Sequence, residues 1–444
     1  MIASENNLEI TVVDAIMGSG KTSAAINYME EHCDEMNFLF ITPYLEEIER
    51  IKASCRKCRF KDPKSIGTKL SDLKRLLKHG ENIVTTHALF YRVDAEVMEL
   101  FSKQNYILIM DEVVEVLLPL GITRNDVRML SESNLISLRP DKFVEWTGPE
   151  NYTGTFWYVK YYAENKNLIW CEGSDGECDS FCSIMKPDIF KQFKKVVVLT
   201  YLFEGSLLKA YLDLYGFKYT YCGVISHNGY FNFGYEVKQC ELKNLKSLIN
   251  IWISDRDGAW VDKTALSYSW LRNRNSNNKK ILLLKKSIAS FYRSITKTKS
   301  HQNLWTTFNH SKKKLTGPGY AKGFEVHNAR STNKHRGRTA VVYAANKFLN
   351  PGINSFFLSN GIEIDQDKYA LSSMLQFIWR SAIRDGEKIW VYIPSERMRG
   401  LFENWLVEVT EASNVNDINR IRGAARKKVI TLNGCIKRKC ESRQ

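Results

Sequence analysis

Along this chain, apolar positions gather into short continuous runs separated by longer polar stretches. The runs 10–13, 38–41, 106–110 and 196–199 are strand-sized and rich in β-branched or aromatic residues, the pattern of strands buried on both faces of a parallel sheet. The stretch 22–36 instead spaces its apolar residues at helical intervals. This alternation predicts an α/β fold. Residues 145–162 are dense in aromatics and read as a hairpin, with 167–170 as a third strand, which predicts a small β-rich insertion over about 119–190. Tyr-Gly-Phe and Ser226-His-Asn-Gly229 supply turn signals, so a domain boundary is expected around 204–222. A length of 444 residues exceeds one ordinary core. The expected organisation is a first domain over 1–205, a second over 206–408 and a tail over 409–444. No apolar run approaches a bilayer span, no secretory leader is legible in the first residues, and ten cysteines do not suggest a disulfide scaffold. A cytoplasmic protein without a membrane partner is therefore expected.

Between the first strand and the first helix lies Ala15-Ile-Met-Gly18-Ser19-Gly20-Lys21-Thr22, a phosphate-loop pattern with alanine in the leading position. Gly18, Ser19 and Gly20 bring backbone N–H groups close to phosphates, and the helix N-terminus adds partial positive charge. Lys21 would bridge the β- and γ-phosphates of ATP, while the Thr22 hydroxyl would ligate Mg²⁺. The strand 106–110 ends in Asp111-Glu112. An acid at the C-terminal end of a parallel strand faces the crevice where such sheets bind ligands. Asp111 would hold Mg²⁺ through its water shell, and Glu112 would orient and deprotonate an attacking water. A small-molecule kinase has no need of that second carboxylate; a hydrolase does.

Charge sharpens the picture because it is regional. The net charge is +15, yet residues 271–340 hold 17 Lys+Arg and one acid, Glu325, for +16. Residues 420–444 hold nine Lys+Arg and one acid, Glu441, for +8, and the other 349 residues are net −9. A mildly acidic ATPase carrying a basic band and a basic tail points to a polyanionic partner, nucleic acid.

Taken in order, these motifs resemble those of superfamily 2 nucleic-acid helicases over about residues 10–405. Ala15 to Thr22 looks like motif I, Phe38-Leu-Phe-Ile-Thr42-Pro43-Tyr44 like motif Ia, and Asn82-Ile-Val-Thr85-Thr86-His87 like the later strand-and-Thr motif. Asp111-Glu112-Val113-Val114 is similar to motif II, with Val-Val where the named boxes carry Ala-Asp or Ala-His. Val196-Val-Val-Leu-Thr200-Tyr201 sits where motif III lies, and Leu304-Trp-Thr306-Thr307-Phe308 is similar to motif IV. Phe324-Glu-Val-His-Asn328-Ala-Arg330-Ser331-Thr332-Asn333 resembles motif V, and Gln376-Phe-Ile-Trp-Arg380-Ser-Ala-Ile-Arg384 resembles motif VI. The wording looks most like helicases encoded by bacteriophages. The resemblance implies two tandem RecA-like domains, ATP and Mg²⁺ as ligands, and single-stranded or tailed and branched DNA as partner. It also implies a role in phage DNA replication, recombination or repair beside proteins of those processes, with a monomer favoured. Thr42, Thr85, Thr86 and His87 on one domain would grip the strand's backbone with Thr306, Thr307, Asn328, Arg330, Thr332 and Asn333 on the other.

The chain departs from the pattern in two places. The arginine finger commonly lies seven residues after the glutamine, where this chain has Ile383; Arg380 lies at four and Arg384 at eight. On a helix the two arginines would share a face, and either could supply the finger. With only fourteen residues before Ala15, an upstream glutamine motif with its adenine-stacking aromatic has no room, which predicts loose base selectivity. Cys55-Arg-Lys-Cys58 has metal-type spacing, but unliganded thiols are expected. The leading expectation is an ATP-driven helicase or translocase. The alternative is a nucleic-acid-stimulated ATPase that remodels or recognises DNA structures without processive unwinding.

Overall fold

The computed structural model describes residues 8–65, 67–173, 175–234, 244–273, 278–326 and 333–411. The chain opens with β1 (Glu9–Asp14), β2 (Asn37–Thr42), β3 (Ile83–Thr86) and β4 (Tyr106–Asp111). It then enters an insertion containing β5 (Leu117–Pro119), β6 (Ile136–Leu138), β7 (Val144–Trp146), β8 (Leu168–Glu172) and β9 (Cys178–Ile184). It returns as β10 (Lys195–Thr200), β11 (Tyr219–His227) and β12 (Tyr230–Gly234). The first half's sheet has the order β12-β11-β1-β10-β4-β2-β3. All its pairings are parallel except the β11–β12 hairpin. The inner strands β1, β2, β4 and β10 are buried almost end to end, as their apolar runs require when helices cover both faces.

The second half forms its own parallel sheet from β13 (Ile249–Trp252), β14 (Asn303–Thr306), β15 (Ala340–Tyr343) and β16 (Ile389–Tyr392), in the order β13-β16-β15-β14. Its helix Gln366–Ile378 buries Ala370, Leu371, Met374, Leu375, Phe377 and Ile378, and with β15, β16 and the helix Glu396–Glu411 it builds a second core. The expected tandem arrangement of two α/β units is thus present.

Two segments cross the expected boundary. Residues 219–234, placed in the second domain from sequence, add β11 and β12 to the first sheet, with Ile10 to Val13 of β1 paired to Tyr219 to Cys222. Residues 349–364 lie in the second half of the sequence, yet Leu349, Ile353, Phe356, Phe357 and Ile364 join the first half's core. The helix Pro351–Ser359 lies on β8 so closely that a Cβ at Gly352 would sit 2.5 Å from Cys171 Cβ. Neither pairing has a local signature, because each is an edge contact between segments far apart in sequence.

The insertion also differs from expectation. β7 pairs backwards with β6, β8 pairs with β9, and residues Trp157–Glu164 are helical rather than the second strand of a hairpin. Val159 and Ala163, four apart, are the buried residues of that helix, a helical spacing hidden among the aromatics. Asn328, Arg330, Thr332 and the basic tail from 412 lie outside the described residues, as does the side chain of Asn333.

Candidate active site

The phosphate loop leaves β1 through Ala15 and turns into the helix Lys21–His32. Gly18 and Gly20 have φ of +84° and +88°, a left-handed backbone that residues with a Cβ adopt at a cost. Lys21 Nζ donates to the carbonyls of Ala15 at 2.6 Å and Ile16 at 3.0 Å. The buried Ser19 hydroxyl has no hydrogen-bond partner among the described residues. An orphaned hydroxyl, two left-handed glycines and an ammonium group curled on its own loop form a cradle that fits a polyphosphate.

Beside it, Thr22 Oγ1 and Asp111 Oδ1 lie 3.4 Å apart. Enclosure by protein pushes the Asp111 carboxyl up to about 7, with Glu112 and Glu47 adding to the rise and Arg50 and Lys21 opposing it. Enclosure likewise lowers the Lys21 pKa, against the pull of Glu112, Asp111 and Asp14. Carboxylates crowded with little solvent compensation beside a hydroxyl are a donor set suited to a divalent cation. Thr22 and Asp111 therefore fit Mg²⁺.

Glu112 is held in a left-handed conformation, φ 66°, at an order of ~1 kcal/mol for a residue with a Cβ. Its N–H donates to Leu199 O of β10 at 2.9 Å, which fixes that turn. Its carboxylate thereby meets Gln376 of the second half, whose Nε2 donates to Glu112 Oε2 at 3.2 Å. One hydrogen bond thus joins the motif II strand of one sheet to the motif VI helix of the other.

The expected common face for the two arginines is not present. The helix ends at Ile378, where Ser381 Oγ donates to the Ile378 carbonyl at 2.6 Å and diverts the backbone. Arg384 follows in the 3-10 turn Ala382–Asp385. Arg380 is buried, 5.5 Å from the Phe377 ring centroid, with Nη1 donating to Val326 O at 3.2 Å. Arg384 is exposed, and its charge is felt at Lys21. Arg336, Arg50, Glu47 and Asp385 are the charges acting on it. The two therefore approach the cleft from different depths.

Of the strand-gripping residues expected from sequence, Thr42, Thr306 and Thr307 are fully buried, Thr85 and His87 nearly so. Thr86 is partly exposed, and its hydroxyl accepts from Leu89 N at 3.3 Å to cap the short helix His87–Phe90. The hydroxyls of Thr42, Thr306 and Thr307 have no partner among the described residues.

Sequence reasoning missed several contributors. Asp14, at the end of β1, accepts from Leu202 N at 2.9 Å and Phe203 N at 3.3 Å, tying the phosphate loop to the motif III turn. The strand-end logic that singled out Asp111 applies to it equally. Glu47 and Arg50, an ion pair at 2.5 Å on the helix Leu45–Ser54, face Asp111 and Arg384 electrostatically; only three-dimensional packing exposes that role. Gly205 abuts the second half so closely that a Cβ would lie 2.4 Å from Tyr369 N. Beside it Ser372 Oγ donates to Tyr201 O at 3.2 Å, and Trp405 Nε1 to Tyr201 Oη at 2.7 Å.

This chain is 40% identical over 412 residues to the SPbeta prophage-derived uncharacterized protein YonV of Bacillus subtilis (strain 168), covering 89% of this chain and 98% of that one. The chain belongs to the YonV family. Its residues 118–175 match the YonV middle domain and 243–406 the YonV C-terminal Rossmann-like domain. Residues 2–114 match the family described as Type III restriction enzyme, res subunit. The YonV middle domain thus falls on the insertion between β4 and β10. Among solved structures, an apo XPD chain superposes with TM-score 0.50 at 12% identity, covering 91% of this chain and 96% of that one. Xpd4 of S. tokodaii matches with TM-score 0.44 at 11% identity, covering 89% and 94%. The superfamily 2 helicase likeness, the tandem RecA-like fold and the kinship with phage-encoded proteins all hold for this YonV-family chain. No helix among the described residues is long and apolar enough to cross a membrane.

Proposed function

We propose that this protein is an ATP-dependent DNA helicase or translocase that moves along single-stranded nucleic acid, serving phage DNA replication, recombination or repair. The observation that carries the reading is the Gln376–Glu112 hydrogen bond, which links the hydrolytic carboxylate of one half to the motif VI helix of the other. A site that only bound nucleotide would not need such a link.

In this reading Gly18, Ser19, Gly20 and Lys21 would hold the phosphates of ATP, and Thr22 and Asp111 would hold Mg²⁺, which when bound would offset the charge of the phosphates. Glu112 takes a proton from the attacking water as its oxygen bonds to the γ-phosphorus and ADP leaves. Gln376 orients Glu112, and Arg384 and Arg380 supply positive charge as the halves close on a γ-phosphate. The motif III turn, gripped by Asp14 on one side and the helix Gln366–Ile378 on the other, passes the state of the phosphates across the cleft.

For the strand, the burial of Thr306 and Thr307 leaves the surface beside β14 to their neighbours. Tyr268, 52% exposed, stands 4.7 Å from the His310 ring, next to Lys312, Lys313 and Lys314 of the basic band. Aromatic rings set among lysines suit a single strand's bases and phosphates.

The test is the ATPase rate with and without single-stranded DNA, followed by strand displacement on 3′- and 5′-tailed duplexes. Absence of turnover, or equal turnover by Glu112→Gln, would sink the motor reading. DNA-stimulated turnover without displacement would favour the remodelling ATPase.

A further inference from the structure

The strand order gives the two sides of the phosphate loop different neighbours. On the β10–β4 side of β1 stand Thr22, Asp111 and Glu112, the acidic end suited to Mg²⁺ and the γ-phosphate. On the opposite side stands the β11–β12 hairpin. Its Phe231 ring covers Gly20, where an added Cβ would lie 2.3 Å from Phe231 Cδ1 and 2.4 Å from Cε1. The ring thus rests on the bare Cα of the residue immediately before the phosphate lysine.

The hairpin is fastened along the helix that follows the loop. Asn27 Nδ2 donates to Phe231 O at 2.8 Å, and Tyr230 Oη donates to Glu31 Oε1 at 2.9 Å. The Phe233 ring stands 5.7 Å from that of Tyr28. Phe231 is nonetheless only partly buried. A fixed, partly exposed aromatic therefore borders the phosphate cradle on the side away from the carboxylates. A nucleotide with its γ-phosphate toward Asp111 must carry its nucleoside the other way, toward this hairpin.

We propose that Phe231 is the platform on which the base of the bound nucleotide stacks, a role that rests on reading the phosphate loop as an ATP site. Every nucleobase has a π face, so a phenyl ring registers that a base is present without reading which one. Phe231 lies more than two hundred residues after the loop in sequence and directly against it in space.

Binding of ATP, ADP, GTP and inorganic tripolyphosphate, each with Mg²⁺, to the full chain by titration calorimetry tests this with Phe231→Leu and Phe231→Tyr. Leucine keeps an apolar contact on Gly20 but has no π face; tyrosine keeps both. Phe231→Leu is expected to weaken all three nucleotides by roughly tenfold, the scale of one lost aromatic stack, with tripolyphosphate affinity unchanged and Phe231→Tyr close to the parent. Nucleotide affinities unchanged by leucine, or tripolyphosphate weakened as much as ATP, would overturn the platform while leaving the ATP site standing. A parent protein that binds neither ATP nor tripolyphosphate would overturn the ATP site and the platform together.

Discussion

Gln376 and Glu112 lie 264 residues apart in sequence and 3.2 Å apart in the fold, where the amide of one half donates to the carboxylate of the other. Glu112 reaches this partner from a left-handed backbone turn at the end of β4. If Glu112 acts as proposed, this contact would couple hydrolysis to the arrangement of the two halves.

Replacing Glu112 with Gln should lower kcat by about 10²–10⁴ while ATP still binds, because only the proton acceptor is lost. Gln376→Ala should cost roughly tenfold in kcat with Glu112 left unoriented, as expected for a lost hydrogen bond to a charged group. Steady-state ATPase assays alongside nucleotide titration separate the two effects. If Gln376→Ala leaves the rate unchanged, the bridge is incidental.

The arginines should part company. Arg384 is exposed and its charge reaches Lys21, so Arg384→Ala should cost about 10³ or more in kcat with little change in Tm. Arg380 is buried against Phe377 and bonded to Val326 O. Arg380→Ala should lower Tm by roughly 5 °C as well as activity. Differential scanning fluorimetry beside the ATPase assay distinguishes them, and equal Tm loss in both variants would contradict the placement.

Asp111 is half-buried, with its pKa pushed up to about 7 by the surrounding protein and the nearby Glu112 and Glu47. Keeping it ionised opposes folding when no cation is present. Asp111→Asn should therefore raise Tm by about 2–4 °C at pH 8 without Mg²⁺, lose the Mg²⁺-dependent gain in Tm and abolish turnover. A variant less stable than the parent in metal-free buffer would argue against that cost.

Much of this site was legible in sequence, and for a physical reason. Gly18, Gly20, Lys21 and Thr22 sit between a strand and the start of a helix, and Asp111 and Glu112 where a strand ends, so local pattern and chemistry point to the same place. The two arginines share no face, because the helix ends at Ile378 and Arg384 lies in the 3-10 turn after it. Thr306 and Thr307 are the right types for phosphate contact, yet at the end of β14, an edge strand of the second sheet, both are buried. Asp14 shares the strand-end position of Asp111, whereas Glu47, Arg50 and Phe231 act through neighbours from distant segments, which no spacing along the chain reveals.

Gly205 sits against the backbone at Lys368 and Tyr369 with no space for a methyl group. Gly205→Ala should force the motif III turn off the helix Gln366–Ile378. The expected result is a basal ATPase within about threefold of the parent, with stimulation by single-stranded DNA largely lost. Unchanged stimulation would show that the turn does not transmit the signal.

Reversing Lys312, Lys313 and Lys314 to Glu should weaken single-stranded DNA binding and flatten its salt dependence by about 0.7 in log–log slope per phosphate contact removed. Fluorescence anisotropy at several salt concentrations measures both quantities. An unchanged slope would mark these lysines as ordinary solvated surface.

The segment 349–364 buries Ile353, Phe356 and Phe357 in the core of the half to which it does not belong in sequence. The chain crosses from the second half to the first and back before it reaches Gln376. A genetic exchange that replaced everything after residue 244 with the corresponding part of another ATPase would leave a cavity beneath β8. The first half alone would expose an apolar seat, and the second alone an apolar helix. Although each half has its own sheet, the core of the first is closed only by a segment of the second.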